Sequence, residues 1–101
     1  MRHGRPDANK AEIVKFFRDR GGYWIDFTPD QGCDGLLAHD LVVDFVEIKD
    51  SSKPPSKRKL TNGERELELS LAVRGITLRV IESIADAKAL IGFRYADIGK
   101  P

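Results

Sequence analysis

Apolar and polar positions recur with two different periods along this chain, and the changes of period mark its elements. In residues 8–20, ANKAEIVKFFRDR, Ile13, Phe16, Phe17 and Arg20 fall at helical spacing. Asp7 is placed to cap this helix, and Gly21 and Gly22 stop it. Residues 23–28, YWIDFT, are aromatic and β-rich and run into the turn Pro29-Asp30-Gln31-Gly32. CDGLLA (33–38) and the long apolar run 41–49 follow as strands about His39-Asp40. So short a link predicts a hairpin, although His-Asp lacks the favoured Asn-Gly or Asp-Gly chemistry.

Beyond the hairpin, DSSKPPSKRK (50–59) has adjacent prolines and no apolar residue, which predicts an exposed loop. TNGERELELSLAVRG (61–75) is a helix opened by a Thr61–Glu64 capping box and ended by Gly75. ITLRVI (76–81) is a fourth strand, and Ser83 with Asp86 caps a last helix over IADAKALI. The pattern assigns no element to the tail, 92–101. The first three strands form an antiparallel meander, whereas strand, helix, strand across 41–81 requires a right-handed crossover and a parallel pair. The expected architecture is α/β: one domain with a mixed four-stranded sheet flanked by helices, in the order α-β-β-β-α-β-α.

Composition adds bounds. A chain of 101 residues holds one core, and 41% hydrophobic with 33% charged residues is the balance of a folded globular protein. No apolar run approaches the ~20 residues a membrane helix needs, and the basic start MRHGRPDANK has no apolar stretch behind it to make a signal peptide. The single cysteine, Cys33, cannot form an internal disulfide, which favours an intracellular protein. With two histidines besides, the chain offers no zinc set of His and Cys ligands. The net charge of +1 hides a segregation. Between Asp26 and Asp50 seven acids face one base, Lys49, whereas residues 2–20 carry six bases against three acids and 53–59 four against none. An acidic centre between basic flanks suits a cation held next to a polyanion, although solvated charged loops explain the counts as simply.

Spacing decides more than counts do. In DLVVDFVEIKD (40–50), Glu47 and Lys49 stand two residues apart in an apolar strand, and therefore on one face. Burying both is costly unless each finds a partner. Pairing 33–38 with 41–49 brings Asp34 beside Glu47 or a residue next to it. Two carboxylates there would hold a hard divalent cation, Mg²⁺ or Mn²⁺, with the Ile48 carbonyl as a further oxygen ligand. Such a cation polarises a phosphoryl oxygen and acidifies a bound water, and the Lys49 ammonium would orient that water or neutralise developing charge.

Asp34 followed by EIK at 47–49 resembles the PD-(D/E)xK nuclease motif. More of the chain resembles one branch, the virus-type replication-repair nuclease (VRR-NUC) domain. AEIVKFFRDRGG is similar to its opening helix, with a Glu near the start and a Gly pair after it, and GCDG stands where that family has Gly-x-Pro-Asp or a relative of it. KLTNGERELELSLAVRGITLRVIES resembles its LS-x-x-Q helix, the following Gly and a strand ending in V-x-S. The likeness covers about 8–91. It implies a restriction-endonuclease-like core, Asp34 and Glu47 as metal ligands and Lys49 as the base-like catalytic residue. It also implies Glu12 as an accessory acid facing the same site, and Glu64 where the family usually has Gln. Cys33 replaces the proline, Asp26 stands where a basic residue is frequent, and SSKPPSKRK is longer than a minimal connection. The resemblance further implies a homodimer acting on branched DNA such as a four-way junction, flap or fork, with no membrane or organic cofactor involved.

Each candidate also has an ordinary reading. Glu-x-Lys on a strand is often a cross-pair, Glu12 a solvated helix residue, and Glu64 no more than the capping-box acid. Lys53, Lys57, Arg58 and Lys59 form either a solvated loop or an arm contacting phosphates without sequence preference. Asp44 reads as a structural or edge charge, His39 as a turn residue, and Cys33, Tyr23 and Trp24 as core or interface residues. Two rivals to a nuclease follow: an inactive nucleic-acid-binding or accessory module of the same fold, and an interaction domain in which Glu47 and Lys49 merely pair.

Overall fold

The computed structural model describes residues 8–98, with side chains from Asn9 to Ile91. Helix α1 (Ala8–Asp19) leads into strand β1 (Tyr23–Asp26), and a 3₁₀ turn at Pro29–Gln31 precedes β2 (Gly35–His39) and β3 (Val42–Ile48). A second 3₁₀ turn, Pro55–Lys57, interrupts the basic loop before α2 (Asn62–Ala72), β4 (Arg79–Ile81) and α3 (Ile84–Ile98). The sheet has the order β1-β2-β3-β4. The first two pairings are antiparallel and the third is parallel, so the mixed four-stranded sheet is as expected.

Helices cover both faces. On one, Trp24, Leu37, Val46, Ile48 and Ile81 pack against Ile13, Val14 and Phe17 of α1 and Ala87 and Ile91 of α3. Trp24 stacks on Phe17, and five side chains here (Phe17, Ile13, Leu37, Ile91 and Val46) are fully buried, each contributing about 1.5–3 kcal/mol. On the other face, Cys33, Leu71 and Leu78 form a smaller cluster with Phe27, Phe45, Leu60 and Leu67.

Three expectations need correction. The hairpin turn is Asp40-Leu41, one residue later than the sequence suggested, because His39 pairs with Val42. Both turn residues have positive φ, 46° and 68°, the twist that a two-residue hairpin demands even of a non-glycine pair. His39 is consequently a buried strand residue, its Nε2 3.1 Å from Asp44 Oδ2. Asp44 is buried too, with Arg79 Nε 3.5 Å away, so of its two expected readings it takes that of a structural charge. The last helix continues to Ile98, past the Gly92 at which the sequence pattern ended. The Asp7 cap lies outside the described residues. The Thr61–Glu64 box and the Ser83 cap are present, Ser83 Oγ accepting from Asp86 N–H at 3.1 Å.

Candidate active site

Turn chemistry sets the position of Asp34. Gly32 takes a φ of 95° at the end of the 3₁₀ turn. At Gly35 an added Cβ would run into the Trp24 indole and the Ile25 carbonyl, so only glycine lets β2 lie so close to β1. Between them, the Asp34 carbonyl accepts from Phe27 N–H at 2.9 Å, prolonging the β1–β2 ladder. The register Gly35↔Val46, continued by one residue, sets Asp34 opposite Glu47 on the face shared with Lys49. The turn that lies one residue later than expected is what aligns these two acids.

Asp34 Oδ2 accepts from Ile48 N–H at 2.7 Å. A strand residue directs its N–H and C=O to the same neighbour, so the Ile48 carbonyl faces the side from which Asp34 approaches. Lys49 Nζ lies 2.8 Å from Glu64 Oε1 and 3.4 Å from Glu47 Oε2. Glu64 Oε1 also accepts from Thr61 N–H at 2.8 Å. One carboxylate therefore closes the helix cap and receives the lysine, and its structural and site readings coexist. Asn9 Nδ2 donates to the Lys49 carbonyl at 2.9 Å and the Glu82 carbonyl at 3.3 Å, tying α1 to the ends of β3 and β4.

Electrostatics divide the acids. Burial, the Asp34 charge and the Glu64 contact together push Glu47 up to about 8, with Lys49 only partly offsetting them. Burial acts on Glu64 in the same sense, but its hydrogen bonds from Lys49 and from the Thr61 amide prevail and hold it below the ordinary carboxylate value. Lys49 stays above the usual ammonium value, because its Glu64 bond and the Glu47 charge outweigh its burial. The metal-free pair of glutamates thus keeps a proton on Glu47, beside a firmly cationic Lys49. Burial also pushes the Cys33 thiol up to about 11, consistent with a small core residue.

These groups border a cavity of about 440 Å³ lined by Lys10, Phe27, Asp34, Glu47, Thr61 and Glu64, among others. A larger depression of about 710 Å³ follows β4 and α3, but its acids are engaged structurally. Glu82 pairs with Arg58, and Asp86 accepts from Glu82 N–H. The smaller cavity is therefore the one bordered by the candidate site residues.

Lys10 escaped the sequence reading. Its Nζ lies 3.5 Å from both Asp26 Oδ1 and Asp34 Oδ1. The signal was available, since Lys10 shares a helical face with Ile13, Val14 and Phe17. Glu12, the expected accessory acid, is exposed and does not line the cavity. At 100° per residue it falls on the side of α1 away from the buried stripe, so the structure does not bring it to Asp34 and Glu47. Of the basic loop, Lys53, Lys57 and Lys59 are exposed, whereas Arg58 is half-buried with its guanidinium 2.9 Å from Glu82 Oε1. Arg58 pins the loop rather than presenting itself to a ligand.

Among the described residues, no three His, Cys, Asp or Glu side chains are arranged as a ready-made metal cage. Asp34 and Glu47 nevertheless suit a hard divalent cation that keeps several waters: both are oxygen donors, they face each other, and their mutual repulsion helps hold a proton on Glu47. Also among the described residues, no helix is long and apolar enough to cross a membrane. Compared with known proteins, the chain matches no family model, no curated protein and no solved structure.

Proposed function

We propose that this chain is a metal-dependent, structure-selective DNA endonuclease of the PD-(D/E)xK type, similar to VRR-NUC domains. One observation carries the reading. Asp34 and Glu47 face each other across neighbouring strands, with the Lys49 ammonium 3.4 Å from Glu47, beside a cavity open to a ligand. Asp34 and Glu47 would hold Mg²⁺ or Mn²⁺, and the Ile48 carbonyl would add a backbone ligand. Held there, such a cation would supply Lewis-acid polarisation of the phosphoryl oxygen and a more acidic water as nucleophile at neutral pH.

The chain's own groups do the rest. The Ile48 amide fixes one Asp34 oxygen and leaves the other for the cation. Glu64 holds the Lys49 ammonium in place and charged. In that state Lys49 orients the attacking water and offsets charge developing on the phosphoryl group, rather than removing a proton. Lys53, Lys57 and Lys59 supply sequence-independent phosphate contacts. Branched DNA as substrate and a homodimer as the working form follow from the family likeness, and the small size of the chain agrees with pairing. The test is a panel of single-stranded, duplex, flap and four-way substrates with Mg²⁺ or Mn²⁺. Nicking that requires metal and is lost in Glu47→Ala supports the reading; equal behaviour of the two proteins overturns the site.

A specific feature favours the second reading, an inactive binding module. Each acid of the site already faces an internal cation, Asp34 with Lys10 and the two glutamates with Lys49. Calorimetry separates the two: absence of Asp34-dependent Mn²⁺ binding selects the module. In the plain ion-pair alternative, replacing Glu47 and Lys49 together by apolar residues would leave stability unchanged or improved.

A further inference from the structure

We propose that Lys10 is the site's resident counter-ion, a tethered cation that occupies the free Asp34 oxygen until a divalent ion displaces it onto Asp26. This rests on the metal-site reading of Asp34 and Glu47. Asp34 Oδ2 is engaged by the Ile48 amide at 2.7 Å, whereas Oδ1 faces Lys10 alone among the contacts described. Lys10 Nζ stands 3.5 Å from that oxygen and the same distance from Asp26 Oδ1. An ammonium has three donors and can be shared between two carboxylates. It cannot stay so close to Oδ1 once a doubly charged ion binds there, because the two cations repel.

Asp26 is built as the alternative seat. Its Oδ1 accepts from Trp24 Nε1 at 2.7 Å, and Trp24 is stacked on Phe17 in the core, so the carboxylate is fixed from behind. That hydrogen bond, with the charge of Lys10 reinforcing it, keeps Asp26 below the ordinary aspartate value. Asp26 does not line the cavity, whereas Asp34 and Lys10 do. A short swing of the lysine therefore carries it from the ligand-binding oxygen to a carboxylate outside. Helix α1 itself is anchored by Ile13, Val14 and Phe17 in the core and, in its first turn, by Asn9 on the Lys49 and Glu82 carbonyls. The acid that stands where the family often has a base thus gains a role, as the parking position for Lys10.

Calorimetric titration of Mn²⁺ into the full chain tests this, without DNA and therefore without dependence on turnover. Lys10→Met should tighten Mn²⁺ binding about threefold or more, the scale of a partly exposed ion pair. Asp26→Asn, which leaves Lys10 on Asp34 alone, should weaken it by a similar factor. In the Lys10→Met background, Asp26→Asn should then have little effect, because the lysine it seats is gone. Metal-free Lys10→Met should also melt lower than wild type in EDTA and gain more from added Mn²⁺. Unchanged or weaker Mn²⁺ binding by Lys10→Met overturns the proposal. So does a full Asp26→Asn effect in the double variant, which would mean a general field effect. If wild type binds no Mn²⁺, or Asp34→Asn binds it equally well, the metal-site reading fails and this inference with it.

Discussion

Glu47 holds a proton that glutamate ordinarily loses near 4.5, and its folded value of about 8 makes this a statement about stability. The folded, metal-free protein keeps that proton over a range in which the unfolded chain has lost it. Stability from this group is full below the ordinary value, falls as pH rises, and is gone above about 8. In EDTA, urea denaturation from about pH 5 to 8 should show wild type losing stability relative to Glu47→Gln; parallel profiles would contradict this. Glu64 makes a second prediction at the same scale. Glu64→Ala removes both the cap and the Lys49 partner and should cost about 1–2 kcal/mol, whereas Glu64→Gln, which keeps an acceptor, should cost less than half of that. Glu47 and Lys49 were legible as neighbours on one face because strand parity is a local rule, whereas the alignment of Asp34 with Glu47 also needed the turn that the sequence misplaced by one residue. The placement of Lys10 on the buried face of α1 could be read from helical spacing, but its meeting with Asp34, like that of Arg58 with Glu82, could not, since these partners are distant in the chain and only tertiary packing joins them.

At the scale of elements, the β2–β3 turn governs the site. A hairpin turned about His39-Asp40 would set Asp34 opposite Phe45; turning about Asp40-Leu41 sets it opposite Glu47. Periodicity shows that these strands exist but locates their ends poorly, because either turn keeps the same residues on the same faces. The helical stretches were easier, since Gly21 and the Thr61 box stop and start them in the sequence itself. Leu41 stands exposed with a φ of 68°, a conformation that costs a non-glycine residue about 1 kcal/mol. Leu41→Gly should therefore stabilise the protein by up to about 1 kcal/mol without altering Mn²⁺ binding, as read by thermal melting and titration. A loss of stability would mean that the turn is not of this type.

For the whole molecule, the segregation of charge survives folding in modified form. Acids gather at one end of the sheet, and Lys10 and Lys49 meet them there. The loop at 53–59 keeps Lys53, Lys57 and Lys59 at the surface, with Arg58 bound to Glu82. Replacing these three lysines by alanine should weaken DNA binding at low salt and flatten the dependence of log K on log salt by about 0.9 for each duplex phosphate they had neutralised. Arg58→Ala should instead shift stability by about 0–1 kcal/mol. A salt slope unchanged by the triple replacement would remove the loop from the interface.

In the proposed mechanism Asp34 and Glu47 together would hold the cation on which cleavage depends. The most direct test is single-turnover cleavage of a four-way junction by wild type and Asp34→Asn, with Mn²⁺ and with EDTA, at equal amounts of folded protein. Wild type should cleave only with Mn²⁺, and Asp34→Asn should be slower by a factor of about 100 or more, the scale on which disrupting even the support of a metal ligand is felt. Cleavage by wild type in EDTA, or equal rates for the two proteins, would rule out this metal site.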